Sequence, residues 1–356
     1  MSEISQSKSI QKAERDMSGR ITIRTVAADA GVSVSAVSKV LRNAYGVSDV
    51  LRAKVNASIE KLGYRPNASA RGMRGRSYTL GVLLSDIRNP FFSEIMAGIN
   101  EALANTPYQP LLGVSNSAVG VERSLIDAMI DRQMDGLIFV APRMLDEEID
   151  AAARRIPTVV IGHHRPQAMH FDTVNGDDEA GAEHAIDHLV AAGLEKITHI
   201  SLDISASEDN SVTAHRELGY RRAMERHGLS RHTDVHYAEH SPLARNLARN
   251  LLKRSDRPEA LFCWTDSCAF EAISAAMELG ISVPQGLSVI GYDNSPPCDL
   301  AQNNLTSIDQ SGRQLGMESA RMLMERIEGR QKPEHLLVET RLIVRGSTIT
   351  ASGHDL

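Results

Sequence analysis

The sequence predicts an all-α helix-turn-helix domain at its N-terminal end, followed by an α/β core of two lobes with doubly wound parallel sheets. Three observations predict this fold class. Apolar residues recur at helical spacing over residues 26–62, and a glycine separates the first two helical segments. From residue 79 short apolar strands alternate with helical segments, which is typical of parallel sheets covered by helices on both faces. The alternation occurs in two series of similar spacing, which favours two related lobes.

The composition is that of a globular chain with room for two or three domains. Of its 356 residues, 42% are hydrophobic and 24% are charged. No apolar run approaches the roughly 18 residues of a membrane span, and residues 1–20 lack the apolar core of a secretory signal. The three cysteines show no metal-ligand spacing. We therefore expect a cytoplasmic chain with free thiols, without a cofactor and without a membrane partner.

Charge is distributed unevenly along the chain. Residues 20–76 hold eleven Lys and Arg against three Asp and Glu, which is a net charge of +8. The whole chain carries −6 and residues 1–19 are balanced, so residues 77–356 carry −14. A short basic module before a long acidic body indicates that only the N-terminal part meets a polyanion. A merely solvated basic surface is the alternative.

The stretch TIRTVAADAGVSVSAVSKVL predicts two helices joined by a tight turn. Gly31 can take the left-handed conformation that ends the first helix, and Ser33 is placed to cap a second helix beginning at Val34. Ala27 is small enough to let the helices cross closely. The apolar positions behind this prediction are Val26, Ala27, Ala30, Val37, Val40 and Leu41.

A third helix is predicted between a cap at Ser48 and a stop at Gly63. Its apolar face consists of Leu51, Val55, Ile59 and Leu62. On the second helix, the face opposite the core shows Ser35, Ala36, Ser38 and Lys39. Small hydroxyl residues allow a helix to enter the major groove of DNA, where a Lys can donate to guanine. An ordinary capped surface helix is the alternative.

The segment LGYRPNASARGMRGRS carries a short helical pattern over residues 66–73. So short a helix is unstable alone because helix nucleation is costly. It can fold against a partner, and an apolar Met73 flanked by arginines suits a wedge in the minor groove of DNA. A plain linker is the alternative.

Eight strands are predicted in the acidic body. They span residues 80–84, 110–114, 136–140, 158–162, 197–201, 235–238, 260–264 and 288–291. In such folds a ligand binds where the carboxyl ends of the strands converge, which here is a cleft between the lobes. Asp86 and Asp293 follow or end strands, and Phe91 and Phe92 stand at the start of a helix. The two Phe rings can stack on a sugar ring or a base, or belong to the core.

With these segments in this order and at this spacing, the chain resembles the LacI/GalR family of bacterial transcription regulators. The matching stretches are TIRTVAADAGVSVSAVSKVL, LGYRPNASA, LGVLLSDIRNPFF and LSVIGYDN, and the resemblance covers roughly residues 21–350. It implies a DNA-binding headpiece, a hinge helix that folds in the operator minor groove, and a core similar to periplasmic sugar-binding proteins. It also implies a homodimer or larger homo-oligomer that binds operator DNA and a small sugar or sugar acid.

The same resemblance assigns the site residues. Those implied to contact DNA are Val34, Ser35 and Lys39 at base-reading positions, Ser38 and Ser48 near phosphates, and Asn67, Ala70 and Met73 in the hinge helix. For the effector, the resemblance implies contacts from Arg216, Asp293 and at least one of Phe91 and Phe92. Asp86 is a candidate because it follows a strand, and Asp177 and Gln310 are further candidates. A surface ion pair is the alternative for Arg216, a loop cap is the alternative for Asp293, and Asp266 can be structural.

Four positions depart from the family pattern. Lys39 stands where the family usually has Arg, and the loss of the bidentate fork predicts a softer base preference. Arg42 replaces an Asn, and Thr25 replaces an Asp of the first helix. Met73 replaces a Leu, but it is equally apolar and long enough to insert.

The same sequence also bears on metal binding, catalysis and sugar transport. His232, His236 and His240 would align on a helix, but their surroundings read as a strand, so no metal site is predicted. His163 and His164 can touch a ligand or line the crossing between the lobes. The chain lacks the nucleophile-elbow, phosphate-loop, zinc-protease and dinucleotide motifs, so no enzyme is predicted. A free sugar-binding protein of a transport system is the alternative function.

The predicted function is therefore a repressor of transcription whose operator affinity is controlled by a sugar-like effector between two lobes. The predicted domains are a disordered tail at 1–19, the headpiece at 20–64, the hinge and linker at 65–78, the effector-binding and dimerisation core at 79–346, and a C-terminal tail at 347–356.

Overall fold

Two units make up the chain, Met1–Ser77 and Tyr78–Leu356. The structure is a computed structural model that describes residues 21–41, 44–64, 75–202, 210–238 and 241–350. The predicted hinge residues Asn67, Ala70 and Met73, together with Arg42 and His240, lie outside the described residues.

Three helices form the described part of the first unit. They are α1 (Ile23–Asp29), α2 (Val34–Leu41) and α3 (Asp49–Leu62). The predicted helix end and helix cap are confirmed: Gly31 has a φ of +59°, and the Ser33 hydroxyl accepts a hydrogen bond from the Ala36 amide at 3.1 Å. Ser48 likewise accepts the Leu51 amide at 3.3 Å, and Gly63 ends α3 with a φ of +61°.

The three helices enclose one small apolar core. Its fully or nearly fully buried members are Val26, Ala27, Ala30, Val37, Val40 and Val55. These include every apolar position predicted for the first two helices except Leu41, which is partly buried at the edge of the core. The apolar residues that recur at helical spacing in the sequence are therefore the residues that are buried in this unit.

The second unit alternates strands and helices. In chain order its elements are β1 (Thr79–Leu84), α4 (Phe91–Leu103), β2 (Gln109–Val114), α5 (Val119–Asp131), β3 (Gly136–Val140), α6 (Asp146–Ala153), β4 (Thr158–Ile161), β5 (Asp172–Gly176), α7 (Asp178–Ala191), β6 (Ile197–Leu202), α8 (Val212–Arg226), β7 (Asp234–Ala238), α9 (Ser241–Leu252), β8 (Ala260–Cys263), α10 (Asp266–Glu278), β9 (Ser288–Asp293), β10 (Thr306–Asp309), α11 (Gly312–Glu328), β11 (His335–Val338) and β12 (Arg341–Ile343). Short 3₁₀ turns occur at Ser230–His232 and Pro296–Asp299.

The strands form two six-stranded sheets of matching order, one in each lobe. The first sheet runs β2-β1-β3-β4-β5-β11 and is parallel throughout. The second runs β7-β6-β8-β9-β10-β12 and is parallel except for β12, which is antiparallel to β10. The predicted pair of related, doubly wound lobes is confirmed, with one antiparallel edge strand in the second lobe.

Successive residues of each central strand face different layers of helices. In β1, Val82 packs with the apolar residues of α4 and α11, whereas its neighbour Leu83 packs with those of α5 and α6. In β8, Leu261 packs with α9 and α10, whereas Phe262 packs with α7 and α8. Both faces of each sheet are therefore buried, which explains why these strands read as continuous apolar runs.

The described chain crosses between the lobes three times. It leaves the first lobe after β5, returns after β10 to build α11 and β11, and crosses back into β12. Strands β5, β10, β11 and β12 were not predicted from the sequence. All four are short, and β5 and β10 are rich in polar residues. Strand β5 is held by side chains distant in sequence: Asp172 pairs with Arg326 and Arg330.

Helices α4 and α11 approach each other through glycine. A Cβ at Gly98 would lie 2.0 Å from the carbonyl oxygen of Arg313, and one at Gly316 would lie 2.0 Å from that of Ile95. Any side chain at either position would collide with the backbone of the opposite helix. The second crossing of the chain is therefore fastened to the first lobe by a close helix contact that only glycine permits.

The predicted C-terminal tail starts too early. Ser347 and Thr348 are 2% and 4% exposed, and the Ser347 hydroxyl accepts the Thr306 amide at 2.8 Å. The Ser347 carbonyl also accepts the Val289 amide. The sequence gave no apolar signal here because this segment is held to β9 and β10 by hydrogen bonds rather than by apolar burial. Within the described ranges, none of the helices has the length and apolar character of a membrane-spanning helix.

Candidate functional site

The outward side of α2 in the first unit carries three of the predicted DNA-contacting residues. Val34 is 41% exposed, and Ser35 and Lys39 are also exposed. The opposite side is held by Val37 and Val40 in the core. With its other side held in the core, the helix exposes a small hydroxyl, a short apolar side chain and a cation, which suits a helix lying in the major groove.

Ser38 does not lie on this open face, contrary to the prediction. It is only 9% exposed and has an interaction partner within the protein. The residue directly follows Val37, which is fully buried in the core of this unit. Periodicity places a residue on a helix but does not tell how far a neighbouring helix covers it.

Two exposed apolar residues beside α2 and α3 were missed by the sequence reading. Tyr45, in the loop between the two helices, is fully exposed, and Val50 in the first turn of α3 is 81% exposed. Exposed large apolar groups next to a basic helix pair indicate a surface that becomes covered on binding. The sequence signal was the aromatic residue placed next to Gly46 in a turn.

The second unit holds a cavity of about 450 Å³ between its lobes, at the carboxyl ends of the strands. The first lobe lines it with Ser85, Asp86, Arg88, Asn89, Phe92, Asn116, Ser117 and Arg143, among others. The second lobe contributes Leu202, Ser211, Val212, Thr213, Trp264, Ser267 and Glu271. Behind it lies a smaller compartment of about 60 Å³, which we call the inner compartment; the larger one is the outer cavity.

Arg216 is buried at the wall of the inner compartment. Its Nε donates to Asp178 at 2.7 Å, and its Nη1 donates to the carbonyl oxygen of Trp264 at 2.5 Å. The guanidinium carbon lies 3.7 Å from the ring centre of Tyr292, a cation–π contact. Burial acts to lower the pKa of Arg216, but the Asp178 carboxylate outweighs it and the pKa is raised. The surface ion-pair alternative for Arg216 is wrong, since the pair is buried.

Asp293 closes the same compartment from the second lobe. Its carboxylate accepts from Gln310 Nε2 at 2.6 Å and from Asn89 Nδ2 at 3.1 Å, and Arg216 Nη1 is 4.0 Å away. Since Asn89 belongs to the first lobe, the Asn89 bond directly joins the lobes. Burial raises the pKa of Asp293 to about 8, against the opposing effect of Arg216. Sequence reading identified neither Asn89, although it lies in the matching stretch LGVLLSDIRNPFF, nor Asp178, which directly follows the candidate Asp177.

The predicted residues of the first lobe have mixed outcomes. Asp86 lines the outer cavity, but its carboxylate already forms a two-pronged pair with Arg88, at 2.9 and 2.8 Å. Phe91 and Phe92 are 6% and 8% exposed and pack in the core, as the alternative reading had it. Phe91 reaches only the inner compartment, whereas Phe92 lines both cavities.

Asp177 is not among the residues that line either cavity between the lobes. Its carboxylate caps α7 by accepting the Ala180 amide at 3.0 Å, and the residue borders a separate cavity of about 270 Å³. His164 lies there too: its Nε2 is 2.7 Å from the Asp178 carboxylate, and its ring centre is 4.0 Å from that of His215, with the two rings tilted by 31°. The histidine segment after β4 thus lies at the crossing between the lobes, one of the two alternatives considered for it.

Asp266 has a structural role, as was considered. It is 1% exposed, and its carboxylate accepts the Ser295 amide at 2.7 Å and the Ser295 hydroxyl at 2.8 Å. The Ser307 hydroxyl donates to its other oxygen. These bonds fasten the loop after β9, and hence Asp293, to the start of α10.

No group of three or more His, Cys, Asp or Glu side chains in the described ranges is arranged to hold a metal ion. His232 lies in a 3₁₀ turn and His236 in β7, so these two do not share a helix face. The strand predicted at residues 235–238, which contains His236, is confirmed as β7.

Comparison with known proteins matches both units. Residues 22–67 match the model of bacterial regulatory proteins of the lacI family, and residues 186–348 match that of a periplasmic binding protein-like domain. The HTH-type transcriptional repressor CytR of Escherichia coli (strain K12) is 30% identical over 333 residues, which cover 92% of this chain and 96% of that protein.

Two solved structures are similar over nearly the whole chain. The lac repressor dimer bound to operator and the anti-inducer ONPF matches with a TM-score of 0.79 and 25% identity, covering 93% of this chain and 100% of that one. The complex of the transcriptional regulator CelR with cellobiose matches with a TM-score of 0.67 and 27% identity, covering 92% and 100%.

Proposed function

Because the chain belongs to the lacI family of bacterial regulatory proteins, we propose that it represses transcription from an operator and that a small sugar-like effector controls its operator affinity. The effector binds between the two lobes of the second unit. Regulators of this family bind DNA and are not enzymes, and we propose the same for this chain. A regulator acts where the chromosome lies, so the proposed location is the bacterial cytoplasm.

The exposed face of α2 is the proposed DNA-binding surface. Val34, Ser35 and Lys39 read base edges in the major groove, while the basic residues of the segment with net charge +8 contact phosphates. Ser48 is placed near a phosphate, although its hydroxyl also caps α3. Tyr45 and Val50 extend the contact beside the reading helix.

Two copies bind together, as in the lac repressor dimer on its operator. A two-fold dimer calls for an approximately palindromic site, with the two half-sites read by paired headpieces. The segment 65–78, with Asn67, Ala70 and Met73, is proposed to fold in the minor groove at the centre of the site. Because so short a helix is marginal alone, a small bias from the core decides whether it folds.

The effector part rests on the polar wall of the outer cavity and on the bond between Asn89 and Asp293. A bound polyhydroxy ligand competes for the carboxylate and amide groups that otherwise hold the lobes to each other. Binding therefore shifts the relative position of the lobes, and thermodynamic linkage requires that operator binding shift effector binding by the same factor. Asp86, Phe92, Arg216, Asp293 and Gln310 are the proposed effector-contacting residues.

Fluorescence anisotropy on labelled DNA tests the proposal. An operator is first selected from random sequence with the full-length protein, and affinity is then compared with a scrambled duplex at one physiological salt concentration. We expect specific binding tighter by a factor of about 10³ or more. Equal affinity for both duplexes would refute a sequence-specific regulator and favour a free sugar-binding protein of a transport system.

A second comparison tests the division into units. Removal of residues 1–76 is expected to abolish operator binding but to leave sugar binding unchanged. The matched control is Lys39→Ala in the full-length chain, which keeps both units. Loss of sugar binding on removal of residues 1–76, but not in Lys39→Ala, would contradict the modular division.

A further inference from the structure

Two histidine rings from different lobes contact each other at the crossing. His164 follows β4 in the first lobe, and His215 lies near the start of α8 in the second lobe. Their ring centres are 4.0 Å apart, with the rings tilted by 31°. His164 also bonds across the lobe boundary, since its Nε2 lies 2.7 Å from the carboxylate of Asp178 at the start of α7. A change in the relative position of the lobes therefore alters the surroundings of both rings.

The backbone beside His164 joins the lobes as well. The His164 amide donates to the carbonyl oxygen of Asn210 at 2.7 Å, and His163 and Ser211 form an isolated antiparallel bridge. The Asn210 side chain donates to Asp146 of the first lobe at 2.8 Å. Ser211 also caps α8 and lines the outer cavity. The junction that carries the histidines is thus continuous with the wall of the effector site.

Two carboxylates at this junction each bond one arginine and one histidine. Asp178 accepts from Arg216 Nε at 2.7 Å in addition to its bond with the ring of the first lobe. Glu179 lies 2.8 Å from His215 Nδ1 and also pairs with Arg222. Each acid is therefore already matched by an arginine. A proton on either imidazole adds a positive charge that is only partly offset.

Further charged and titratable groups surround the two rings within the described ranges. They come from the histidine segment itself and from α6, α7 and β11, and they are His163, Arg165, Asp146, Asp150, Asp177 and His335. Arg165 is paired with both acids of α6, and both ring nitrogens of His335 have hydrogen-bond partners. Burial lowers the pKa of His163. His164 and His215 are thus the pair of rings that face each other across the lobe boundary.

The contact between the rings makes protonation less favourable in this arrangement of the lobes. Burial, and next the charge of His164, lower the pKa of His215 below its ordinary value, against the opposing effect of Glu179. An arrangement with the rings apart would remove the contribution of His164 and bind the proton more readily. By linkage, a fall in pH below about 6.5, the ordinary value for a histidine, favours that second arrangement.

We propose that His164 and His215 form a proton-sensitive contact between the lobes, through which acidification changes operator affinity. Protonation of both rings places two positive charges 4.0 Å apart on opposite lobes and favours their separation. Asp178 transmits the change to the effector site, since the same carboxylate holds Arg216. This inference rests on the proposed function, because it takes the position of the lobes to control operator affinity, and it adds the proton as a second regulator.

Operator affinity at pH 7.0 and pH 5.5 tests the proposal in the full-length protein. No histidine occurs in residues 1–162, so the side chains of the DNA-reading unit have no ordinary pKa in this range. Asp293, with a pKa of about 8, stays largely protonated at both values. In anisotropy titrations at fixed ionic strength, we expect the affinity to change by at least about fivefold, the lower end of typical allosteric coupling. Equal affinity at the two pH values overturns the proposal.

Conservative substitutions separate the charge of each ring from its hydrogen bond. His164→Gln and His215→Gln keep a side-chain donor for the carboxylate partner but cannot become charged, so the pH effect should fall below about twofold in each. His227→Gln is the matched control, because His227 also bonds a carboxylate, that of Asp187 at 2.6 Å, but within the second lobe. The control should keep the full pH effect. If both test variants keep it too, or if the control loses it, the contact between the lobes is not its source.

Two measurements without DNA distinguish the possible failures. In proton NMR of the imidazole Cε1–H groups, the pKa of His215 should be higher in His164→Gln than in the unaltered protein. The emission of Trp264, the sole tryptophan, which lines both the outer cavity and the inner compartment, should shift between pH 7.0 and pH 5.5 in the unaltered protein but not in His215→Gln.

A protein without operator preference refutes the proposed function, and these two measurements then decide on the histidine contact by themselves. An unchanged pKa of His215 together with an emission that does not respond to pH refutes the contact, even where operator binding is specific.

Discussion

Replacement of Gly316 by Ala tests how the second crossing of the chain is fastened to the first lobe. Gly316 lies in α11, and a Cβ there would stand 2.0 Å from the carbonyl oxygen of Ile95 in α4. Ordinary contact begins at about 3.4 Å, so the helices must separate locally by about 1.4 Å. The colliding atom belongs to a helix backbone and cannot rotate away as a side chain can.

The magnitude follows from two opposing effects. Overpacking in a well-packed core costs about 1–3 kcal/mol, and a collision with backbone lies at the upper end of that range. Ala is a better helix former than Gly by about 1 kcal/mol, which offsets part of the cost. We expect the Gly316→Ala protein to be less stable by about 2 kcal/mol.

Urea unfolding followed by far-ultraviolet circular dichroism measures the change. The matched control is Gly120→Ala in α5, where no atom lies within 4 Å of the added Cβ. Only the helix propensity acts there, so the control should be unchanged or more stable by up to about 1 kcal/mol. If both substitutions shift the unfolding midpoint in the same direction, the close contact between α4 and α11 is not what limits the size of residue 316.

Three further outcomes are expected. Burial raises the pKa of Asp293 to about 8, so between about pH 4 and pH 8 the folded protein holds a proton that the unfolded chain has lost. The free energy of unfolding therefore falls as the pH rises through this range. Asp293→Asn should remove this pH dependence, which urea midpoints at pH 5 and pH 8 would measure. Asp266→Ala leaves the Ser295 amide without its acceptor and should cost about 2–4 kcal/mol by the same assay. Asp256→Ala, which removes an exposed pair with Arg254, is the control and should leave the urea midpoint nearly unchanged. Lys39→Ala should weaken operator binding by about 1–3 kcal/mol in anisotropy titrations but weaken binding to scrambled DNA less, and equal losses would remove Lys39 from base reading.

The first unit could be predicted closely because its signals are local. Gly31, Ser33 and Ser48 act on backbone groups within three residues of themselves, and the core repeats at helical spacing. The wrong placement of Ser38 has a different origin. Its burial depends on how the helices pack on one another, which no short stretch of sequence encodes.

The cleft could be predicted only in part. The family resemblance placed Arg216 and Asp293 in one site, Gln310 was a further candidate, and the structure brings the three together. Asp177 was another candidate, although the neighbouring residue Asp178 is the one that reaches Arg216. Which of these two adjacent acids reaches Arg216 depends on the residue at which α7 begins, after the chain first crosses between the lobes.

The partners of the cleft residues escaped prediction for the same reason. Asn89 meets Asp293 across a separation of 204 residues, and Trp264, which follows β8, meets Arg216 of α8 through its carbonyl oxygen. Strand β5 was missed because long-range bonds of Asp172 hold it without a continuous apolar pattern. Strands β11 and β12, of four and three residues, are too short to give a periodic signal.

The return of α11 and β11 to the first lobe also sets the order in which this protein can mature on the ribosome. Strand β5 cannot pair with its neighbour β11 until about 160 further residues have been added, which takes roughly ten to thirty seconds of bacterial synthesis. Throughout that interval the nascent first lobe has an open sheet edge and an uncovered α4. The small N-terminal helical unit needs nothing downstream for its own core, so it is complete first. Newly made chains therefore pass through a period in which a DNA-reading module exists before there is any effector site to govern it.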